Sequence, residues 1–531
     1  MELSQGTKKL LLQYQLWYQG LEPKENIATI TVDEVAARVA LFYEKIRGVV
    51  DWREEHLLRK TAIERMLKRR LLFGNSGKDM AEPLLHELIR GGHFPNSRLP
   101  LQTIDQTQEI INKYTSLIEQ SKLYGEKKLQ TDLEDWLLTV GACEIEETLS
   151  LRTREKALIE FMAQNMEKQI QIRKKDENRI LPEERIFEIY VAVQRSLFKL
   201  DDATITLHLL EKSYPEWEHL GADSISSLAP RLQSIKMKIE SILVHPLADK
   251  FYNVVERYDT PYLLLGDIIS EDPNKFTELT QNSQMFEVAI EKIYAIRLKK
   301  LRARMNRTAF FSTLSVFLSK VLIVLAVELP VDANITHELN YVNLAWSIAI
   351  PPLFLLLLVK TIKSSTSENI QKTLLEVAKI TFETNQKEVD EISLPRKRGA
   401  FLSLIIHAVY LGSFVVSFGF LASMLRKLHF SFPSIVVFLL FFSLVAFAGT
   451  KIRSRARELM VGKEKEGFLQ GLLDFFGLPI IQVGKWLSGQ ISRFNILILL
   501  LNVFIEAPFQ VFVEFIEQLR TFWKEKKEEI H

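Results

Sequence analysis

The sequence predicts an all-α protein: an N-terminal cytosolic helical region, a four-helix transmembrane bundle, and C-terminal amphipathic helices at the membrane interface. Four segments in the second half are long and apolar enough to span a bilayer. Before them, apolar residues recur at helical spacing over about 300 residues, and no segment alternates convincingly as a strand. Cationic residues also cluster at the outer ends of each pair of spans. These three observations predict the fold class.

Length, charge and cysteine content limit the classes of protein to consider. The chain has 531 residues, enough for two or three domains, and its net charge of +2 gives no electrostatic argument for a nucleic-acid partner. A single cysteine, Cys143, excludes an intrachain disulfide and a CxxC metal site and fits a reducing compartment. We expect Cys143 to resist a membrane-impermeant thiol label in intact cells. The N-terminus lacks the long apolar core of a signal peptide, so the first span should act as the insertion signal.

Residues 1–300 are predicted to form the cytosolic helical region. Residues 31–34, Thr-Val-Asp-Glu, have the pattern of a capping box, and apolar residues then follow at helical spacing to Val50. Loop-forming residues near position 178 indicate a candidate sub-boundary. Further helical patterns cover about 53–73, 80–91, 104–123, 128–176, 182–199, 203–213, 225–257, 261–269 and 275–300.

Each of two charge clusters in this region could be a binding site or ordinary solvent-exposed surface charge. A basic helix could dock on anionic lipid, although such charge runs are usually solvated faces. Its cations are Arg59, Lys60, Arg65, Lys68, Arg69 and Arg70. An acidic patch could hold a cation, although surface charge is the commoner explanation. Its members are Asp132, Glu134, Asp135, Glu144, Glu146 and Glu147.

No motif in the sequence indicates catalysis. Residues 74–78 have the composition of a phosphate-binding loop, but only two residues separate the glycines and Asp79 follows the lysine. A Walker loop needs four residues there and a Ser or Thr after the lysine. His86 and Glu87 lack the second histidine of a zinc-binding helix. We therefore expect a non-enzymatic protein without a cofactor or metal, with an enzyme lacking known motifs as the minor alternative.

The first predicted membrane hairpin comprises spans at about 308–329 and 341–359, joined by a polar loop. At 1.5 Å per residue each is long enough for a hydrocarbon core of roughly 30 Å. The flanking cations are Lys299, Lys300, Arg302, Arg304, Arg307, Lys360 and Lys363. By the positive-inside rule both ends of the hairpin face the cytoplasm. Because residues 283–329 contain no Pro or Gly, one helix should pass from the soluble region into the bilayer.

The second hairpin comprises spans at about 401–425 and 432–449, which completes a predicted membrane domain of residues 301–458. Cations flank it in the same way, at Arg396, Lys397, Arg398, Lys451, Arg453, Arg455 and Arg457. Both hairpins therefore have the same predicted orientation. Short matches at an offset of about 91 residues suggest a parallel duplication, although membrane helices share composition in any case.

Polar residues and prolines inside the spans are the candidate functional positions. Lys320 lies near the centre of the first span and His407 lies in the third. A lysine at that depth costs about 2.5 to 3.5 kcal/mol on insertion scales, so it should face protein or water. Each residue either marks an ion or proton path or is a polar group satisfied inside the bundle. Pro351 and Pro352 predict a kink in the second span, which we interpret as packing rather than gating.

Residues 459–531 are predicted to form amphipathic helices at the interface. The apolar segment 494–516 carries a polar residue at every fourth position: Asn502, Glu506, Gln510 and Glu514. Two central acids would make a fifth crossing costly, so we predict four spans. The stripe either faces water from a helix lying on the membrane, or lines a cation path in an oligomer.

The sequence is consistent with two functions. The first is a non-enzymatic membrane-anchored interaction or scaffold module, whose cytosolic helices bind either a protein partner or the inner leaflet of the membrane. A homo-oligomer is a further option for this chain. The second is an ion or proton transporter using Lys320, His407 and the Glu506 stripe. Either would be a multi-pass protein of the cell (plasma or inner) membrane, in contact with the lipid bilayer, with both termini cytoplasmic. In outline this layout resembles the cyanobacterial and plastid proton-extrusion proteins, but no motif of theirs is matched and no residue role is implied.

Overall fold

The computed structural model describes most of the chain and confirms a mostly helical protein: 84% of the described residues lie in helices and 2% in strands. The described residues are 2–21, 28–32, 55–72, 77–122, 127–150, 152–173, 180–333, 340–360, 367–383, 389–393, 400–456 and 468–494, with residues 515, 519, 522 and 523. Most of the helix predicted to follow the capping box at 31–34 lies outside these residues.

The helices described before residue 283 form what we call the helical body. They are α1 (Gln5–Leu21), α2 (Glu55–Leu72), α3 (Ala81–Arg90), α4 (Gln102–Ser121), α5 (Lys127–Ser150), α6 (Thr153–Gln169), α7 (Pro182–Leu197), α8 (Asp202–Ser213), α9 (Ala222–Leu228), α10 (Leu232–Leu243), α11 (Ala248–Val255), α12 (Asp259–Glu271) and α13 (Phe276–Gln281). The long helical patterns at 128–176 and 225–257 are thus each divided into shorter helices.

Side-chain caps explain where two of these helical segments begin. The Asp201 carboxylate accepts a hydrogen bond from the backbone N–H of Thr204 at 3.2 Å, which starts α8. The Asn282 side chain likewise accepts from the N–H groups of Gln284 and Met285, which starts the helix that leaves the body. Such caps satisfy amide groups that have no partner within the first turn of a helix.

One continuous hydrophobic core joins the helices of the body. It includes Met162 and Met166 before the candidate sub-boundary near 178, and Ile189 and Val193 after it. All four side chains are buried. Residues on both sides of that position therefore share a single core.

The segment between the two predicted hairpins belongs to the same core. It contains α16 (Ser367–Phe382) and β2 (Asp390–Ile392), and β2 pairs in parallel with β1 (Ile170–Ile172). Val377 and Ile380 of α16 are buried in the core of the body. No strand was expected from the sequence, because three residues are too few for an alternating pattern to be recognised.

Hydrogen bonds hold this segment at several points along the body. The backbone N–H of Ser4 donates to the Thr381 carbonyl oxygen at 3.0 Å. The Tyr258 hydroxyl donates to the Asp390 carboxylate at 2.7 Å. The Lys250 ammonium donates to the Ser393 carbonyl oxygen. Residues predicted to lie in the membrane domain, 301–458, thus contribute a helix and a strand to the body.

A single long helix, α14, links the body to the apolar half of the chain. It runs as Ser283–Ile323, continues through a π-helical turn at Val324–Glu328 and ends with Leu329–Val331, without a break over 49 residues. Its first turns bury Phe286 and Tyr294 in the core of the body. The structure confirms the unbroken helix that the absence of Pro and Gly predicts.

Among the described residues, four helices are long and apolar enough to cross a membrane, as predicted. They are α14, α15 (Tyr341–Lys360), α17 (Ala400–Lys427) and α18 (Phe432–Ala456), which we call the apolar bundle. Leu355 of α15 and Phe441 of α18 share one buried cluster. Helix α15 continues through Pro351 and Pro352, both of which are buried. Many of the bundle's other apolar side chains are exposed, as lipid-facing residues would be.

A further helix, α19 (Phe468–Phe494), packs along α17 and α18. The Ser417 hydroxyl donates to the Phe476 carbonyl oxygen at 2.8 Å, and the Tyr410 hydroxyl donates to Gln482. Gly484 is buried against the backbone of Ser443, where any Cβ would collide. Helix α19 therefore lies beside the apolar bundle.

Candidate charge-pair site in the apolar bundle

Lys320 lies on α14 in the middle of the apolar bundle and forms an ion pair with Glu328. Lys320 is 0% exposed and Glu328 is 1% exposed, so neither charge has access to solvent or lipid. The pair is formed within one helix, between residues about 12 Å apart along its axis at 1.5 Å per residue. The two side chains therefore extend toward each other along the helix.

Two other helices complete the surroundings of this pair. The Ser347 hydroxyl of α15 donates to Glu328 Oε2 at 3.0 Å, so both carboxylate oxygens have a donor. The Lys320 ammonium lies 5.8 Å and 5.5 Å from the ring centroids of Phe438 and Phe441 of α18. Aromatic faces attract a cation electrostatically, most strongly where water is excluded. The charges are thus compensated from three helices.

A π-helical turn lies between the two charged residues, at Val324–Glu328. In a regular α-helix, eight residues would place Glu328 about 80° around the axis from Lys320. A π-turn advances through fewer degrees per residue, so it rotates Glu328 back toward the face of Lys320. This local irregularity, which often marks a functional site, is what lets the pair form.

A second polar cluster lies just past the end of α14, one turn beyond Glu328. Asp332 is 5% exposed and accepts hydrogen bonds from the hydroxyls of Ser431 at 2.7 Å and Ser434 at 3.1 Å. Both serines lie at the start of α18. Lys320, Glu328 and Asp332 therefore form a row of ionisable groups from the centre of the bundle to the end that is distant from the body.

Thr313 extends the polar face of α14 in the other direction. It precedes Lys320 by seven residues, which places the two side chains within about 20° of each other around the helix. Its hydroxyl oxygen is buried and has no hydrogen-bond partner among the described residues. A buried hydroxyl without a partner is costly and calls for an explanation.

The other candidate positions do not join this site in the described structure. His407 is exposed on α17, and its Nδ1 atom lies 2.6 Å from the Ser403 carbonyl oxygen of the same helix. The polar stripe lies outside the described residues and stays a prediction: Asn502, Glu506, Gln510 and Glu514.

Sequence reasoning identified Lys320 but missed its partners. Glu328 falls inside the first predicted span, two residues before Pro330, and was counted as part of the apolar segment. Asp332 was interpreted as a loop residue. The pairing could have been predicted from the presence of an acidic residue and a lysine in the same apolar span, because opposite charges in one apolar segment favour pairing.

The charge clusters of the body are used in internal ion pairs. In the basic helix, now α2, Arg59 lies 3.0 Å from Glu146 and Lys68 lies 2.9 Å from Asp135. Arg70 lies 2.9 Å from Glu87. These pairs occupy charges that docking on anionic lipid would need, which favours the structural interpretation of α2.

The acidic patch is likewise neutralised by protein cations. Glu147 is buried and accepts from His208 Nε2 at 2.7 Å, while Lys156 lies 2.8 Å away. Burial opposes its ionisation, but these two neighbours outweigh it and hold the pKa of Glu147 at about 2. Glu144 lies 2.5 Å from the ammonium of Lys113. Within the described residues, no group of three or more His, Cys, Asp or Glu is placed to hold a metal ion.

No protein family, curated protein or solved structure matches this chain. What the site does must therefore be argued from its own chemistry. A buried ammonium next to a carboxylate can transfer a proton and leave two neutral groups, and the reverse transfer restores the ion pair. The pair can therefore hold or pass a proton without an uncompensated charge.

Proposed function

We propose that this protein is a multi-pass membrane protein that moves protons through the apolar bundle by way of Lys320 and Glu328. The complete burial of this ion pair among apolar helices carries the proposal. A buried ion pair often contributes no more stability than apolar residues of the same volume would. Ionisable groups inside membrane segments commonly mark ion or proton pathways.

In the proposed path, Lys320 donates a proton to Glu328, and the resulting carboxylic acid passes it toward Asp332, one helical turn away. The neutral Lys320 amine then accepts a proton from the side of Thr313. The serine hydroxyls at Glu328 and Asp332 can donate and accept in turn, as members of a relay must. If the Lys320 amine takes up its new proton as Glu328 releases its own, the ion pair forms again and neither of these two residues is left with an isolated charge.

Proton flux in proteoliposomes tests this proposal. We expect the wild-type protein to acidify or alkalinise the lumen according to the sign of an imposed potential, and Glu328→Gln to abolish that flux. Glutamine keeps an oxygen for the Ser347 hydroxyl, so the substitution changes charge more than shape. His407→Gln is the matched control, because His407 is exposed and outside the pair. Absence of wild-type flux under both polarities would overturn the proposal.

The proposed orientation places the helical body, and both termini, on the cytoplasmic side of the cell membrane. Two observations support it. The cations that precede the first span are exposed on α14, as the positive-inside rule expects of a cytoplasmic end. The segment between the hairpins packs against the body from which α14 emerges, so both hairpins leave and return on one side.

Orientation is better tested with new cysteines than with Cys143. Cys143 is 1% exposed, and burial raises the pKa of its thiol well above the ordinary value, so its failure to react would not report on topology. Arg426 and Lys299 are both exposed, on opposite ends of the bundle. We expect Arg426→Cys to react with an impermeant maleimide in intact cells, and Lys299→Cys to react only after permeabilisation. The opposite pattern would invert the topology.

A membrane-anchored interaction module is the second candidate function. The shared core supports this candidate, because it holds the body rigidly against the segment between the hairpins. A rigid body could present a fixed surface to a partner. Deleting residues 1–280 would not test it cleanly, because the deletion would expose Val377 and Ile380 of α16. Proximity labelling from the full chain in native membranes is the better measurement. A flux-active protein without any reproducible neighbour would exclude this candidate.

A further inference from the structure

The part of α14 between the body and the apolar bundle carries a dense row of cations, which we call the juxtamembrane surface. All of them are exposed: Lys299, Lys300, Arg302, Arg304 and Arg307. They lie on an uninterrupted helix, so their spacing is fixed by the backbone. Five positive charges within nine residues form a strong local positive potential.

Ion pairing with the body stops where this surface begins. Two residues before Lys299, Arg297 pairs with Asp267, and seven residues before it, Lys292 lies 3.3 Å from Glu271. From residue 299 onward, no carboxylate among the described residues pairs with any of the five cations. The body therefore neutralises the preceding cations of the helix and leaves these available for a ligand.

The helix presents these cations away from the body. At 100° per residue the five side chains cover roughly 200° of the circumference. Leu298 and Leu301 occupy the remaining side and pack against the core of the body. The cationic side of this helix is thus open to solvent, while its opposite side is fixed against the body.

The position along the helix identifies the ligand class. The five cations extend over about 12 Å and end next to the start of the first span. A head-group layer is roughly 5 to 8 Å thick on each side of the hydrocarbon core, so Arg302, Arg304 and Arg307 fall within it. Arginine guanidinium groups bind phosphate oxygens in a bidentate manner, and lysines just above the layer add attraction.

We propose that the juxtamembrane surface binds anionic phospholipid head groups of the leaflet that faces the helical body. This site is independent of the proposed transport path. Because the same rigid helix carries Lys320 about three and a half turns beyond Arg307, bound lipid fixes the depth at which the charge pair sits. Each cation near an anionic membrane surface strengthens binding about fivefold.

Lipid-dependent stability of the purified full-length protein tests this site. In detergent, added phosphatidylglycerol should raise the unfolding temperature of the wild type, whereas phosphatidylcholine should not, because a ligand that binds the folded state stabilises it. The triple variant Lys299→Gln/Arg302→Gln/Arg304→Gln should need about a hundredfold more phosphatidylglycerol for the same rise. Free glycerol phosphate should have no effect, which separates a lipid site from a phosphate site.

Controls make the result specific to this end of the bundle. Arg426→Gln/Lys427→Gln removes two exposed cations at the other end and should respond to phosphatidylglycerol as the wild type does. The charge-retaining variant Arg302→Lys/Arg304→Lys guards against a folding defect and should keep most of the response. Equal shifts with both lipids, or an undiminished response in the folded triple variant, would overturn the proposal.

Discussion

Removing either member of the Lys320/Glu328 pair should destabilise the protein more than removing both. Lys320→Met leaves the Glu328 carboxylate at 1% exposure with only the Ser347 hydroxyl as donor. Glu328→Met leaves the ammonium with aromatic rings but no counter-charge. The double variant Lys320→Met/Glu328→Met removes both charges and keeps a similar apolar volume.

The magnitudes follow from the burial of the two groups. Breaking a buried pair from one side typically costs about 3 to 5 kcal/mol, because the remaining charge is uncompensated. Replacing both members by apolar residues is often neutral or stabilising by about 1 to 4 kcal/mol. The freed Ser347 hydroxyl can bond to a carbonyl of its own helix, which limits its loss. We therefore expect the double variant to be within about 1 kcal/mol of the wild type.

A double-mutant cycle on the purified protein measures this coupling. Denaturant unfolding in detergent gives the free energies of all four proteins, and proton flux is recorded on the same samples. We expect the stability of the double variant to recover while its flux stays absent. Additive losses of stability would show that the charges do not interact. A stable double variant with wild-type flux would remove the pair from the transport path.

Three further outcomes are expected. Thr313→Val should slow proton flux severalfold, while Thr313→Ser should retain it, because the proposed path needs a hydroxyl on the body side of the Lys320/Glu328 pair. Gly484→Val should separate α19 from α18, seen as faster proteolysis of the C-terminal region, because a side chain there meets the Ser443 backbone. Burial raises the pKa of Asp259 from 3.8 to about 7, so its ionisation increasingly destabilises the folded state between those pH values. Asp259→Asn should therefore change the free energy of unfolding little near pH 4 and add up to about 4 kcal/mol above pH 7, as measured by urea unfolding.

The apolar helices could be predicted closely because span length is a local property of the sequence. The second span, expected at 341–359, is observed as Tyr341–Lys360, and the third, expected at 401–425, as Ala400–Lys427. The place of α16 could not be predicted in this way. Its packing depends on core residues more than 100 positions away, and no local pattern records which surface an amphipathic helix will cover.

The candidate site was predictable only in part for a related reason. Lys320 stands out because a charge in an apolar span is unusual. Its pairing with Glu328 depends on the π-helical turn. That turn rotates the following residues around the helix axis by less than the 100° that separates neighbouring residues. Periodicity arguments assume a constant number of residues per turn, so they place these two side chains on different faces.

The parallel pairing of β1 with β2 imposes an order on biosynthesis. Ile170 and its partner Asp390 are 220 residues apart, which corresponds to roughly 10 to 45 s of translation at 5 to 20 residues per second. Throughout that interval the nascent body lacks the helix and strand that close its core. The first two apolar segments leave the ribosome in the same period, before α16. In the proposed membrane topology, insertion of that hairpin would therefore precede the completion of a domain that begins some 300 residues upstream. A delay in insertion would leave an open apolar cleft for chaperones to cover.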